Sequence, residues 1–344
     1  MAVSIPGGIA HPLLLVLLAD GQLHSGEWLA KELKVSRAAV WKGVARLRAL
    51  GVEVQAFARR GYRLPHPMEL LDARRIDGVL QPQNMARLRT LELLFEVDST
   101  NTRLLSQSPP PAGCADGCLS ELQHAGRGRR GRRWIAPVGG GVALSLGWTF
   151  ADAPRTLPAL SLAVGVAVSR ALARAGAQGI TLKWPNDIWF HDRKVGGVLL
   201  ELRAEASGPA YVVIGVGINV SLTAAARREI EAGGAQVAAV AEACAEAPSR
   251  NWIAGAILDE LLSMLGLFER EGFAAFRDAW TALDALNGRP ARVLIGDAAI
   301  SGIARGVDQD GALLLETGGP GDLGDRVRRF VSGEASLRML KGDT

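Results

Sequence analysis

Residues 126–134 read Gly-Arg-Gly-Arg-Arg-Gly-Arg-Arg-Trp, with five arginines between positions 127 and 133. Glycine lets the backbone approach an anion closely, and guanidinium forks grip carboxylate or phosphate in bidentate fashion. So many like charges repel one another until a polyanion orders them. A small anionic substrate and a nucleic acid both fit that description. Gly126–Gly131 also matches G-x-G-x-x-G. A dinucleotide fold would continue into a helix, whereas Pro137 and Gly139-Gly140-Gly141 follow here, so that reading is set aside.

Only six of the 39 basic residues are lysines, and between positions 43 and 340 the only two are Lys183 and Lys194. A lysine kept among arginines points to a need for a compact ammonium, with chance as the plain alternative. Between a carboxylate and a phosphate, such a group can stabilise the charge that develops in acyl–phosphate transfer. Lys183 opens Lys183-Trp184-Pro185-Asn186-Asp187, in which Asn-Asp after proline is also an ordinary turn. Gly215-Val216-Gly217-Ile218-Asn219-Val220 ends an apolar run. Glycines there mark either the close approach of a ligand or tight packing of strands. No activated serine or cysteine is apparent. Cys114, Cys118 and Cys244 form neither a disulfide framework nor a zinc pattern and read as reduced thiols.

These segments need a scaffold. Residues 69–285 alternate apolar strands with helices: strands at 91–97, 142–150, 180–184, 198–203 and 211–218, and helices at 157–175 and 252–271. That is a mixed α/β domain. Residues 286–340 change to short strands split by Gly-Asp and Asp-Gly turns, as in a small barrel.

The first 66 residues differ again. Leu13–Ala19 reads as an apolar helix, Ser25 caps a second, and Ser36 caps a third whose Val40, Val44 and Leu47 face inward. Val52, Val54 and Phe57 alternate as a strand, and Arg59-Arg60-Gly61 makes a basic turn. The order is that of a winged helix-turn-helix. Arg37, Trp41 and Arg48 form an outward stripe with Lys42 and Arg46 beside it. Nine basic residues against four acidic ones give this segment +5, while the other 278 residues carry 30 basic against 31 acidic. DNA binding is the expectation, and a protein-interaction module with a solvated basic face is the alternative. No apolar run reaches the roughly 18–20 residues of a membrane span. Without a basic flank or a cleavage site, Leu13–Ala19 is read as a buried helix of a cytoplasmic protein.

Together, Ser36–Lys42, Asp98–Asn101, Gln123 with Gly126–Trp134, Lys183–Asp187, Lys194–Leu200, Gly215–Val220 and Gly333–Arg338 closely resemble the bifunctional biotin protein ligase and biotin operon repressor family. The resemblance covers almost the whole chain. It implies a winged helix-turn-helix (1–66), a central α/β ligase domain of the class II aminoacyl-tRNA synthetase and biotin ligase type (67–285), and an SH3-like small β-barrel (286–344). It further implies that biotin and MgATP form biotinyl-5′-AMP, and that biotin then passes to a lysine of the biotin carboxyl carrier protein of acetyl-CoA carboxylase. The adenylate would also favour a homodimer that binds operator DNA, with no membrane partner.

By that resemblance, Ser99, Thr100, Asn101 and Gln123 hold the biotin ring. Gly126, Arg127, Gly128 and Arg129 close over biotin and the adenylate phosphate. Lys194 binds the reacting oxygens, Trp134 packs on adenine, and Gly197, Gly215, Gly217 and Asn219 line the site. Lys183, Asn186 and Asp187 lie near the ATP phosphates and Mg2+. Ser36, Arg37, Ala38, Trp41, Lys42, Arg59 and Arg60 meet DNA. Three departures stand out: His124 beside Gln123, Trp41 on the reading stripe, and Arg328-Arg329-Phe330 near the barrel end. Two other classes compete, a biotin-sensing regulator without chemistry and a ligase for lipoate or another acyl chain.

Overall fold

The computed structural model describes residues 10–204, 209–295, 298–318, 327–331 and 336–339. The Gly-rich loop beyond Gly318, and Gly333–Ala335, lie outside them. Three helices come first: α1 (Ala10–Leu18), α2 (Gly26–Glu32) and α3 (Arg37–Ala49). The side chains of Ser25 and Ser36 accept from the amides of Trp28 and Ala39, each at 3.1 Å, so both expected caps are made. Val40, Val44 and Leu47 are buried against Leu14, Leu15 and Leu18. The wing is shorter than the alternation suggested, with β1 (Gln55–Phe57) paired antiparallel to β2 (Gly61–Arg63). Val52 and Val54 are buried ahead of the strand instead of lying within it. Gly61 is required at the turn, because a Cβ there would meet the His24 carbonyl at 1.9 Å.

Two short helices, α4 (Ala73–Asp77) and α5 (Pro82–Met85), lead to the large sheet. Its strands are β3 (Leu88–Val97), β4 (Ala115–Gln123), β5 (Gly141–Phe150), β6 (Ile180–Lys183), β7 (Asp187–Phe190), β8 (Arg193–Ala204) and β9 (Ala210–Asn219), in the spatial order β3-β4-β5-β9-β8-β7-β6. Only the β3–β4 pair is parallel. Helix α6 (Thr100–Leu105) crosses β4, β5 and β9 on one face. On the other face α7 (Leu160–Arg174) and α9 (Arg250–Glu271) bury the core, joined by α10 (Ala274–Leu283), while α8 (Ala224–Glu231) lies after β9.

Two helical segments, Leu157–Arg174 and Arg250–Glu271, are in fact long and apolar enough to span a membrane, contrary to the sequence reading. Their most apolar windows are 72% and 78% buried inside this fold, as core helices are. The chain then forms β10 (Pro290–Ile295), β11 (Ala298–Val307), β12 (Leu313–Glu316), β13 (Val327–Phe330) and β14 (Ser336–Met339), an antiparallel five-stranded sheet in the order β13-β12-β11-β10-β14. Ala291, Val293, Leu313, Leu315 and Phe330 join the main core.

The N-terminal module is docked rather than tethered. Its core takes in Val138 and packs on Met68, Leu70, Phe95 and Leu122 of the central domain. Above that apolar contact, Glu96 of β3 meets His11 of α1 at 2.5 Å, Arg46 of α3 at 3.0 Å and His124, just past β4, at 2.7 Å. Burial raises the Glu96 pKa, but the hydrogen bonds with His11 and His124 and the attraction of Arg46 outweigh it and hold the carboxyl below the usual glutamate range. A depressed carboxylate stabilises the fold above its unfolded pKa, and that contribution fades as pH falls through the folded value. Glu96→Gln should therefore cost about 1–3 kcal/mol at neutral pH. Urea melts of both proteins from pH 7 downward should show the gap closing in acid, and a gap independent of pH would refute this role for Glu96.

Candidate active site

The polar side of the site begins at the α6 N-terminus. Ser99 caps the helix, so Thr100 and Asn101 in its first turn are fixed in direction. All three residues are buried. The Gln123 side-chain oxygen accepts from the Thr100 amide at 2.9 Å and from its hydroxyl at 3.2 Å. Ser145 of β5 bonds the Thr100 hydroxyl at 2.7 Å and donates to the Asn101 amide oxygen at 2.5 Å. The Asn101 nitrogen donates to Glu201 at 2.7 Å. Each member is oriented by another, which leaves a pre-formed polar floor. Ser145 and Glu201 were not foreseen; a lone serine in an apolar run and a lone glutamate give no local signal.

Gly215 faces Ser145 in the β5–β9 register, and a Cβ at 215 would lie 2.4 Å from the Asn101 oxygen. Two residues along, a Cβ at Gly217 would lie 2.4 Å from the Trp134 ring. Both glycines make room for side chains of the protein itself, Asn101 and Trp134, which is packing within the chain. Trp134 is half-buried, and its indole N–H has no partner among the described residues. Asn219, at the end of β9, donates to the Ala238 carbonyl at 3.3 Å while its side-chain oxygen is likewise unpartnered.

Lys194 lies inside β8, not before it as the sequence suggested. Its ammonium sits 2.6 Å from Asp187, against Gly197, where a Cβ would come 3.1 Å from the nitrogen, and 6.0 Å from the centre of the Trp134 ring. A narrow slot of this kind suits a compact ammonium better than a planar guanidinium. Lys183 ends β6 opposite Asp187, with its ammonium 4.4 Å over the Trp189 ring. Between these lysines, Trp184 is buried and donates to the Gly311 carbonyl at 3.2 Å, so the same motif also anchors the C-terminal sheet.

No helix follows Gly126–Gly131, which instead turns through a short 3-10 segment, Arg129–Gly131. Gly126, where a Cβ would lie 2.6 Å from the Trp134 carbonyl, allows the return of residues 132–134, closed by bonds from Gly128 to Arg132 and from Trp134 to Gly126. Arg129 donates to Asn186 at 3.3 Å, and Asn186 donates to the Val198 carbonyl at 2.6 Å. Burial, with Arg130 and Arg132 close by, lowers the Arg129 pKa despite the attraction of Asp187, so an added anion there would be welcome. Arg127 turns elsewhere, to Glu201 at 3.0 Å and Thr102 at 3.0 Å. Cys118 is buried with its thiol pushed up to about 12, an inert group. Among the described residues, no group of three or more His, Cys, Asp or Glu side chains could hold a metal.

Against known families, the Biotin/lipoate A/B protein ligase family matches residues 95–219, an HTH domain matches 11–63, and the Biotin protein ligase C terminal domain matches 288–338. The bifunctional ligase/repressor BirA of Salmonella typhimurium is 39% identical over 96% of this chain and 98% of its own length. The Escherichia coli protein of the same name is 39% identical over 95% and 97%. This chain belongs to the bifunctional biotin ligase/repressor family. Among solved structures, an Aquifex aeolicus biotin protein ligase in complex with biotin and ATP superposes with a TM-score of 0.59, at 27% identity, over 73% of this chain and all of that one.

For a ligase/repressor of this family, the Gly215–Asn101 contact is the tightest test of the geometry. Gly215→Ala should lower stability by roughly 1–3 kcal/mol, because the Asn101 network must shift. An unchanged urea midpoint would mean that Asn101 does not lie over β9.

Proposed function

We propose that this chain joins biotin and ATP into biotinyl-5′-AMP with release of pyrophosphate, transfers the biotinyl group to one lysine of the biotin carboxyl carrier protein, and represses a biotin operator. One observation carries the chemistry. Lys194, Asp187, Arg129, Trp134 and the Asn101 floor gather on one part of the sheet, where Gly197, Gly215 and Gly217 let Lys194, Asn101 and Trp134 lie close on the strands. Residues 1–66 act on DNA, 67–285 do the chemistry, and 286–344 close beside it as an SH3-like cap.

Ser99, Thr100, Asn101 and Gln123 offer the ureido ring of biotin both donors and acceptors. In the first step a biotin carboxylate oxygen attacks the α-phosphorus and the bond to pyrophosphate breaks. Two anions must meet, and Lys194 and Arg129 reduce that repulsion as charge shifts. Gly126, Arg127 and Gly128 let the loop lie close over the product. Trp134 supplies a ring for adenine, and the buried, unpartnered Asn219 oxygen and indole N–H are polar groups a ligand would satisfy. In the second step the carrier lysine attacks the mixed-anhydride carbonyl, and AMP leaves.

A magnesium ion would supply charge neutralisation on the phosphates. Asp187 and Asn186 provide one carboxylate and one amide oxygen near Lys183, enough for an ion whose other ligands are phosphate and water. The adenylate-bound chain works as a cytoplasmic homodimer, a reading that rests on the family resemblance.

Purified protein with biotin and ATP should release pyrophosphate and add one biotinyl group to a carrier domain. A pure sensor would do neither, and lipoate competing equally would reassign the substrate. Lys194→Ala should cut adenylate formation by two or more orders of magnitude, since an electrostatic group at the reacting centre is worth about that much. Its urea midpoint should stay near that of the parent. Activity close to the parent would remove Lys194 from the mechanism. On DNA, Arg60→Ala at the wing should weaken binding evenly across sequences and reduce the salt slope by about one. A sequence-dependent loss would mean that Arg60 reads bases.

A further inference from the structure

The surface of α3 contains more than a basic stripe. Its exposed residues are Arg37, Ala38, Trp41, Lys42, Ala45, Arg46, Arg48 and Ala49. Two of the four cations are already committed. Arg46 is paired with Glu96 at 3.0 Å, and Arg48 donates twice to the Val54 carbonyl, at 3.0 and 2.6 Å. That leaves Arg37 and Lys42 as the cations of the helix that bond nothing else among the described residues, while Arg48 keeps its charge. Beyond its Ser36 cap, α3 contains no Asn, Gln, Asp, Glu, Ser or Thr. What remains on the outward face is apolar: Trp41, 62% exposed, with Ala38 one turn before it and Ala45 one turn after. Trp41 lies at i+3 from Ala38 and i−4 from Ala45, so the three form one strip.

Each base edge in the major groove calls for a particular chemistry. Adenine is met by a bidentate Asn or Gln, cytosine by a carboxylate, guanine by Arg or Lys, and thymine by an apolar contact with its C5-methyl. Helix α3 has nothing for the first two. We infer that α3 reads its operator through thymine methyl groups, packed against Ala38, Trp41 and Ala45, with Lys42 and Arg37 left for guanine. The inference rests on the DNA-binding reading and specifies the class of site: half-sites in which thymines face the middle of α3. The exposed tryptophan then has a purpose, since apolar area left in water is recovered on a methyl-lined groove.

The experiment uses the full chain with biotin and MgATP. A duplex is first enriched from a random pool on the protein. Each thymine in it is then replaced singly by deoxyuridine, which lacks only the methyl group. At one or more contacted positions, affinity should fall about fourfold, the worth of one buried methyl. Trp41→Ala should bring the thymine-to-uracil ratio at those positions close to one, and Trp41 is exposed enough that the fold should tolerate the change. Arg60→Ala should weaken both duplexes equally and keep the ratio. Equal binding of every uracil duplex by the parent overturns the inference, as does a ratio that survives in both Trp41→Ala and Ala38→Gly, because the methyl would then act through DNA stiffness. Failure to enrich any duplex over random DNA overturns the DNA-binding reading itself, and the inference with it.

Discussion

The absence of a side chain at Gly215 is the constraint on which the site depends. Asn101 occupies the space a Cβ would fill, and from there it links β5 through Ser145 and β8 through Glu201. Because Ser145 also holds Thr100, and Thr100 holds Gln123, one missing methyl on β9 positions residues from α6, β4, β5 and β8 together. Gly217 repeats the device for Trp134. A pleated strand places positions 215 and 217 on the same face, so a single strand presents the polar floor and the aromatic wall in line. Lys194 stands one strand away, against Gly197, which is the register partner of Gly217. Acyl–phosphate chemistry needs such pre-alignment, since much of its barrier lies in bringing two anions into contact.

The DNA-binding module is built into the same framework. Phe95 and Leu122 belong to β3 and β4, the strands that deliver Asp98–Asn101 and Gln123 to the site. Glu96 lies between Phe95 and the Asp98 turn, and His124 directly follows Gln123. A change in the orientation of α1 or α3 therefore acts on side chains adjacent in sequence to the ligand-holding ones. The charge at Glu96 is shared among two imidazoles and one guanidinium from three elements, so displacing any one of them disturbs the other two.

What the sequence made legible was local. Ser25 and Ser36 each announce a helix start, and Val40, Val44 and Leu47 announce a buried face, because capping and periodicity act within one turn. Strands β4 and β7 were not legible. In β4, Asp116, Ser120 and Glu121 are buried, so a polar-looking segment lies inside the fold, each charge neutralised from afar: Asp116 by Arg89 and Glu121 by Arg250. The pairing of Arg127 with Glu201 and the anchoring of Trp184 on Gly311 span 74 and 127 positions. Nothing in a local pattern encodes such partners. They come together only in the tertiary fold, where the loop of Arg127 lies over β8 and Trp184, after β6, reaches the turn between β11 and β12.

The same distinction between local and distant partners changes the meaning of the charge count. A total of +5 over residues 1–66 suggests a uniformly basic face, yet Arg46 is paired with Glu96 and Arg48 commits two of its donors to the Val54 carbonyl. The cations of α3 and the wing that carry no ion pair among the described residues are Arg37, Lys42, Arg48, Arg59, Arg60 and Arg63; Arg48 bonds the Val54 carbonyl, and Arg63 lies over the Phe57 ring and bonds Gln55. Phosphate attraction scales with the charges actually available, so this module should hold DNA through few contacts and moderate salt dependence. Few electrostatic contacts leave a larger share of affinity to the groove-facing surface, and on α3 that surface is Ala38, Trp41 and Ala45. In this chain Arg46 and the exposed tryptophan are two sides of one arrangement: the charge that docks α3 onto the ligase domain is not available to hold DNA, and apolar area takes its place.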